Sequence, residues 1–354
     1  MDVDLGIVEG FFGRPWSWAG RREVMQRLAP AGYRFYLYAP KADGRLRRRW
    51  REPYGDEDLQ ALADLAAACR ASGVRFGVGL SPFEAWLDFG QEARAALNAK
   101  LRAFEEIGVQ DLAILFDDMK GDLSDLADRQ GEIIDFAAQR TSASRLIVCP
   151  SYYSDDPTLD RVFGARPGGY LERLGQRLDP AIEMFWTGEE VCSREFSPGH
   201  LDEVATRLNR KPFLWDNYPV NDGPRMSQHL HLRAFTGRPA AIAASIAGHA
   251  VNPALQPLLS CIPALTLARS YAEAERYRYG AAFRDAARSI AGEPLAAMLE
   301  ADIAFLQDVG RDRLGERLQT LRARYAAVDH PAAREVAAWL DGDDFVPAEI
   351  VKTQ

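Results

Sequence analysis

Cysteine is scarce in this chain, and basic charge is in deficit. The 354 residues include four cysteines, Cys69, Cys149, Cys192 and Cys261. They are scattered, without a CxxC or other tight spacing, and read as reduced, mostly buried thiols rather than a disulfide frame or a metal knot. Lys and Arg number 43 against 51 Asp and Glu, a net charge of −8, so the chain as a whole does not attract phosphate backbones and nucleic-acid binding is disfavoured. No apolar run reaches the ~18 residues of a membrane span. The start, Met1-Asp2-Val3-Asp4, is acidic and leads directly into an apolar run, without the basic and longer apolar regions of a secretory leader. A cytoplasmic protein that contacts no membrane is the expectation. GxGxxG and GxxxxGK[ST] are both absent, which argues against dinucleotide and nucleotide sites.

What the sequence does have is rhythm. Short apolar runs alternate with amphipathic stretches: Leu5–Val8, Phe35–Tyr38, Val74–Leu80, Leu112–Phe116, Leu146–Val148, Ile182–Trp186, Phe213–Trp215 and Ile246–Val251. Strands alternating with helices at this spacing mean parallel βαβ units, and eight such units in about 265 residues predict a (β/α)8 barrel rather than an open sheet. After about Arg269 strand-like runs stop and Ala, Arg, Leu and Glu dominate. The expected organisation is a catalytic barrel over 1–268 and a helical appendage over 269–354.

In such a barrel the functional groups lie where strands end. Here the runs end in Glu9-Gly10, Ala39-Pro40-Lys41, Asp117-Asp118, Tyr152-Tyr153, Trp186-Thr187-Gly188, Asp216-Asn217 with Asn221-Asp222, and Asn252-Pro253. Carboxylates, amides, an amine and aromatics on one rim predict a polar site with aromatic walls. The Asp117-Asp118 pair is its sharpest element: adjacent carboxylates repel, so one is expected to hold its proton near neutral pH while the other stays ionised. The alternatives are a pair that caps a loop, disfavoured here because it ends a barrel strand, and a divalent-metal site, although no HxH or HxxH accompanies it and Lys41 is a competing cation. Trp16, Tyr153, Trp186, Trp215 and Tyr218 suit stacking on the apolar face of a sugar, or plain packing. His229 and His231 read as local hydrogen-bonding groups more than metal ligands, and the basic run Arg45–Arg51 as a solvated loop.

Taken together, Gly6-Ile7-Val8-Glu9-Gly10-Phe11-Phe12-Gly13-Arg14-Pro15-Trp16, Tyr36-Leu37-Tyr38-Ala39-Pro40-Lys41, Leu115-Phe116-Asp117-Asp118, Cys149-Pro150 with Tyr153, Trp186-Thr187-Gly188, Trp215-Asp216-Asn217 with Asn221-Asp222, and Asn252-Pro253 resemble glycoside hydrolase family 84. These are the β-N-acetylglucosaminidases that include the protein O-GlcNAcases. The resemblance implies a retaining exo-hydrolase of β-linked GlcNAc, including O-GlcNAc on Ser or Thr of proteins. In that family the substrate's acetamido oxygen attacks the anomeric carbon and forms an oxazoline, an exception to two-carboxylate hydrolysis. It further implies Asp118 as general acid/base and Asp117 as the carboxylate that orients and polarises the acetamido N–H. Gly10, Lys41, Asn217, Asp222 and Asn252 become sugar-hydroxyl and acetamido contacts, Tyr153 the tyrosine beside the acetamido group, and Trp215 a wall of its pocket. No metal and no cofactor are implied. Two rivals remain open at this point: a metal-dependent barrel hydrolase using Asp117, Asp118 and Asp222, and a non-catalytic GlcNAc-binding barrel.

Overall fold

The computed structural model describes residues 3–354; Met1 and Asp2 of the acidic start lie outside the described residues. Eight strands, β1 (Leu5–Glu9), β2 (Tyr33–Tyr38), β3 (Arg75–Leu80), β4 (Asp111–Leu115), β5 (Arg145–Cys149), β6 (Glu183–Trp186), β7 (Pro212–Asp216) and β8 (Gly248–Val251), pair in parallel and close in sequence order, β8 returning to β1. Each predicted run therefore holds a strand, and the expected barrel is present. Helices α1 (Trp18–Leu28), α2 (Asp56–Ala71), α3 (Gln91–Glu106), α4 (Leu126–Ala138), α5 (Pro157–Phe163), α6 (Tyr170–Arg177) and α7 (Pro198–Leu208) form the outer ring. The short α8 (Gly223–Met226) follows β7, and α9 (Pro257–Glu273) follows β8. Then come α10 (Tyr279–Ile303), α11 (Arg317–Ala326), α12 (Pro331–Asp341) and α13 (Ala348–Thr353). Residue 268 falls inside α9, which packs on both α1 and α10.

Aromatic residues fill the barrel interior. Phe213 meets Phe35 edge-on at 5.5 Å and Phe185 at 5.2 Å. Room for these rings comes from Gly6 and Gly248, where a Cβ would lie 2.3 Å from Phe35 and 2.5 Å from Phe213. Each ring buried this way contributes roughly 1.5–3 kcal/mol. The strand starts carry a charged lattice instead. Asp4 accepts from both Arg75 and Arg145 at 2.6 Å, and Asp111 accepts from Arg75. A floor of this kind serves stability, and chemistry belongs to the opposite rim. Among the described residues no helix is long and apolar enough to cross a membrane.

Candidate active site

At the strand ends a pocket of about 250 Å³ gathers Gly10, Lys41, Asp117, Asp118, Tyr153, Trp215, Asn217, Asp222 and Asn252. These are all nine residues that the family resemblance assigns to the site. The volume lies just below the usual ~300–1,000 Å³ of small-molecule sites, enough for one sugar rather than a chain.

The acidic pair is held from behind. After β4, the Phe116 N–H donates to the Cys149 carbonyl at 2.9 Å, and Ser151 Oγ donates to the Phe116 carbonyl at 2.9 Å. Asp118 then adopts φ +57°, a left-handed conformation that Asp and Asn tolerate better than other side chains. Arg47 fixes it by donating to the backbone carbonyls of Asp117 (3.4 Å) and Asp118 (3.2 Å) and to Ser81 Oγ (2.9 Å). The basic run is thus not uniformly solvated: Arg47 is buried beneath the carboxylates, drawn inward between the buried Leu46 and Trp50.

Lys41, at the end of β2, is buried and pairs with Asp117 Oδ2, and its Nζ lies 3.3 Å from Asp118 Oδ2. Asp117 Oδ1, also buried, accepts no hydrogen bond among the described residues. An unsatisfied buried acceptor costs about 1–3 kcal/mol, and a negative one on a residue that lines a pocket is a site for an N–H donor. Asp118 is half-buried and accepts the Tyr153 hydroxyl proton at 2.9 Å. Burial pushes its carboxyl up, but Lys41, Arg47 and the hydrogen bonds from Tyr153 and Lys41 together hold it below the ordinary carboxylate range. In the same pocket the Asp222 carboxyl is pushed up to about 6 by burial and then by the charge of Asp118, against the opposing pull of the Phe12 N–H and Lys41.

The amide wall is self-organised. Trp215 Nε1 (3.0 Å) and Asn252 Nδ2 (2.9 Å) both donate to Asn217 Oδ1, Asn217 Nδ2 donates to the Val191 carbonyl at 2.8 Å, and the Gly10 N–H donates to Asn252 Oδ1 at 3.2 Å. Each of these amides has two N–H groups, and among the described residues each commits one. At Gly10 a Cβ would stand 2.3 Å from the Trp215 ring, so glycine lets that indole form the wall. The Phe12 N–H donates to Asp222 Oδ2 at 2.8 Å.

Other candidates fall outside the pocket. Trp16 is buried with Nε1 on the carbonyls of Ala254 and Leu255, and Trp186 is buried against His200, so both pack rather than stack on a ligand. Tyr218 lines a neighbouring cleft of about 860 Å³, which shares Val191, Cys192 and Asn217 with the pocket. Tyr152, the neighbour of Tyr153 in the chain, does not line the pocket and donates to the Gly164 carbonyl at 2.7 Å. Glu9 is spent on Arg21, and Asp216 on Arg238 and His249. His229 and His231 bind backbone carbonyls through Nδ1. Cys69, Cys149 and Cys261 are buried and Cys192 is exposed, all as free thiols. Among the described residues no group of three or more His, Cys, Asp or Glu side chains is placed to hold a metal ion. Sequence reading missed Arg47, Val191, Cys192 and Val351, of which only Arg47 left a signal, in its apolar neighbours.

Comparison with known proteins gives consistent results. A family model described as beta-N-acetylglucosaminidase matches residues 5–306. Protein O-GlcNAcases from Mus musculus and Rattus norvegicus are each 30% identical over 275 residues, 75% of this chain and 30% of theirs. The chain thus spans less than a third of the length of these curated relatives. The structure of a mutant O-GlcNAc hydrolase from Thermobaculum terrenum superposes with a TM-score of 0.79 at 29% identity, covering 95% of this chain and 80% of that one.

Proposed function

The chain belongs to the β-N-acetylglucosaminidase family, and on that premise we propose that it hydrolyses β-linked N-acetylglucosaminides with the substrate's own acetamido group as nucleophile. The observation that carries the reading is the unpartnered Asp117 Oδ1, buried beside an oxygen already anchored on Lys41. An acetamido N–H donated to that oxygen would aim the amide at the anomeric carbon. As the acetamido oxygen attacks, the nitrogen gains positive charge, and a fixed carboxylate next to it stabilises the transition state more than the ground state.

Asp118 then serves as the proton carrier. Its proton passes to the leaving oxygen as the oxazoline forms, and its carboxylate takes one from the water that opens that ring. The cations around it favour the carboxylate needed in the second step, while a neutral sugar that displaces water adds to the burial that favours the acid needed in the first. Two inversions at the anomeric carbon give net retention. An aryl β-N-acetylglucosaminide followed by NMR is expected to release the β-anomer of GlcNAc first; first release of the α-anomer would refute the mechanism.

The names of the curated relatives favour O-GlcNAc on protein as the substrate, and the 860 Å³ cleft beside the pocket gives a bulky aglycone somewhere to lie. The metal-dependent alternative is disfavoured by the charges at the site: the cation between Asp117 and Asp118 is Lys41, a resident of the chain itself. The lectin alternative leaves the orphaned, strained acidic pair without a purpose.

Asp222 sets a pH limit. Its ionised form accepts a sugar hydroxyl, and its value of about 6 means that this form is lost as pH falls through 6. Below that point KM is expected to rise, approaching about tenfold per pH unit if the ionised form alone binds. Asp222→Asn should weaken binding at all pH values and flatten that limb. A KM profile that keeps its slope in the variant assigns the limb elsewhere.

A further inference from the structure

The sugar pocket opens through Val191, Cys192 and Asn217 into the 860 Å³ cleft, and Val351 of α13 lines the pocket but not the cleft. Val351 lies beyond the stretch that matches the family, which stops at 306. Its segment is nevertheless stitched to the rim. Asp344 accepts from Arg14 at 2.6 Å and from Gln256 at 2.7 Å, and the Val346 N–H donates to Ser227 Oγ at 3.2 Å. Gln354 clamps the backbone of Gly13 on both sides, its Oε1 accepting from the N–H at 2.8 Å and its Nε2 donating to the carbonyl at 3.3 Å. At Gly13 (φ +106°) a Cβ would come within 2.7 Å of Val346, so glycine permits both the backbone turn and the close approach.

We propose that segment 344–354 is a specificity-determining wall of the sugar pocket: Val351 narrows the pocket beside Gly223 and Pro224, so that only a terminal, unsubstituted sugar fits. The inference rests on the proposed hydrolase reading. With the anomeric carbon at Asp118 and the aglycone leaving into the cleft, the sugar's 4- and 6-hydroxyls lie toward Asp222 and its neighbours Gly223 and Pro224. All three line the pocket together with Val351, and α13 packs on α8, which begins at Gly223. Val351 supplies the steric limit there, and Gln354 is a positioning residue that holds it.

The test compares an aryl β-N-acetylglucosaminide with its 4-O-methyl and 6-O-methyl derivatives on the full chain. The native protein is expected to disfavour the methylated sugars by tenfold or more in kcat/KM. Val351→Ala should recover at least tenfold of that discrimination for one of them. Gln354→Ala should do the same while leaving kcat on the parent substrate within about threefold. Because each value is a ratio on one preparation, partial unfolding does not move it. Conversely, Val351→Trp should raise KM for the parent with little change in kcat. Ratios unchanged in both alanine variants would overturn the wall. Failure of the hydrolase reading would look different, as no turnover of the parent by the native protein, and would remove both proposals.

Discussion

Asp118→Asn is expected to lose about 10²–10⁴-fold in kcat/KM on substrates with poor leaving groups, the usual contribution of a positioned general acid. With an activated aryl glycoside, whose phenolate departs without a proton, the loss should stay within about tenfold for the glycosylation step. Asparagine is the informative replacement because of the backbone. Residue 118 sits at φ +57°, which Asn tolerates and β-branched or bulky residues do not. The Tyr153 hydroxyl can still donate to the amide oxygen that replaces Asp118 Oδ1. A plot of log kcat/KM against leaving-group pKa, steeper in the variant than in the native protein, is the signature. Parallel lines would remove Asp118 from the acid role.

Asp117→Asn is expected to have the opposite pattern, a fall of about 10²–10³ or more, the range for loss of a preorganised transition-state stabiliser, and the same for good and poor leaving groups. The reason is that Asp117 acts on ring formation itself, before the identity of the aglycone matters. The substitution also leaves Lys41 with one fewer anionic partner in a buried setting, and breaking a buried pair destabilises by about 3–5 kcal/mol. Stability and mechanism separate in the thermal melt: misfolding lowers all rates together with Tm, whereas loss of acetamido activation lowers kcat in protein that still unfolds cooperatively. A variant with an intact Tm and near-native kcat would contradict the role assigned to Asp117.

The two aspartates also show how far the sequence carries. Both were legible as site residues because barrel topology forces the end of an apolar run onto the functional rim. The same logic placed Lys41, Tyr153, Asn217, Asp222 and Asn252 in one pocket although they are up to 211 positions apart. Eight parallel strands were legible because strands covered on both faces are apolar throughout. Electrostatics was not legible in the same way. That Asp118 is held low and Asp222 pushed up depends on which cations face each carboxylate, a property of packing across β2, the loop after it and β4 rather than of adjacency. Arg47 was hidden for a related reason, since a run of arginines reads as solvated until Leu46 and Trp50 are seen turning it inward. Trp16 and Trp186 carried the composition of a sugar platform and the geometry of core. Val351 left no trace in any periodicity, because its place depends on side-chain clamps more than 300 residues distant in sequence, such as Gln354 on Gly13.

The central claim is that the nucleophile belongs to the substrate. Its most direct test is hydrolysis by the native chain of an aryl β-N-acetylglucosaminide beside the aryl β-glucoside with the same leaving group, each with and without EDTA. An internal nucleophile held in place is worth an effective molarity of ~10⁵ M or more, so the account predicts cleavage of the first substrate, rates unchanged by chelator, and no detectable cleavage of the second. Comparable rates on both sugars, or activity abolished by EDTA, would contradict it.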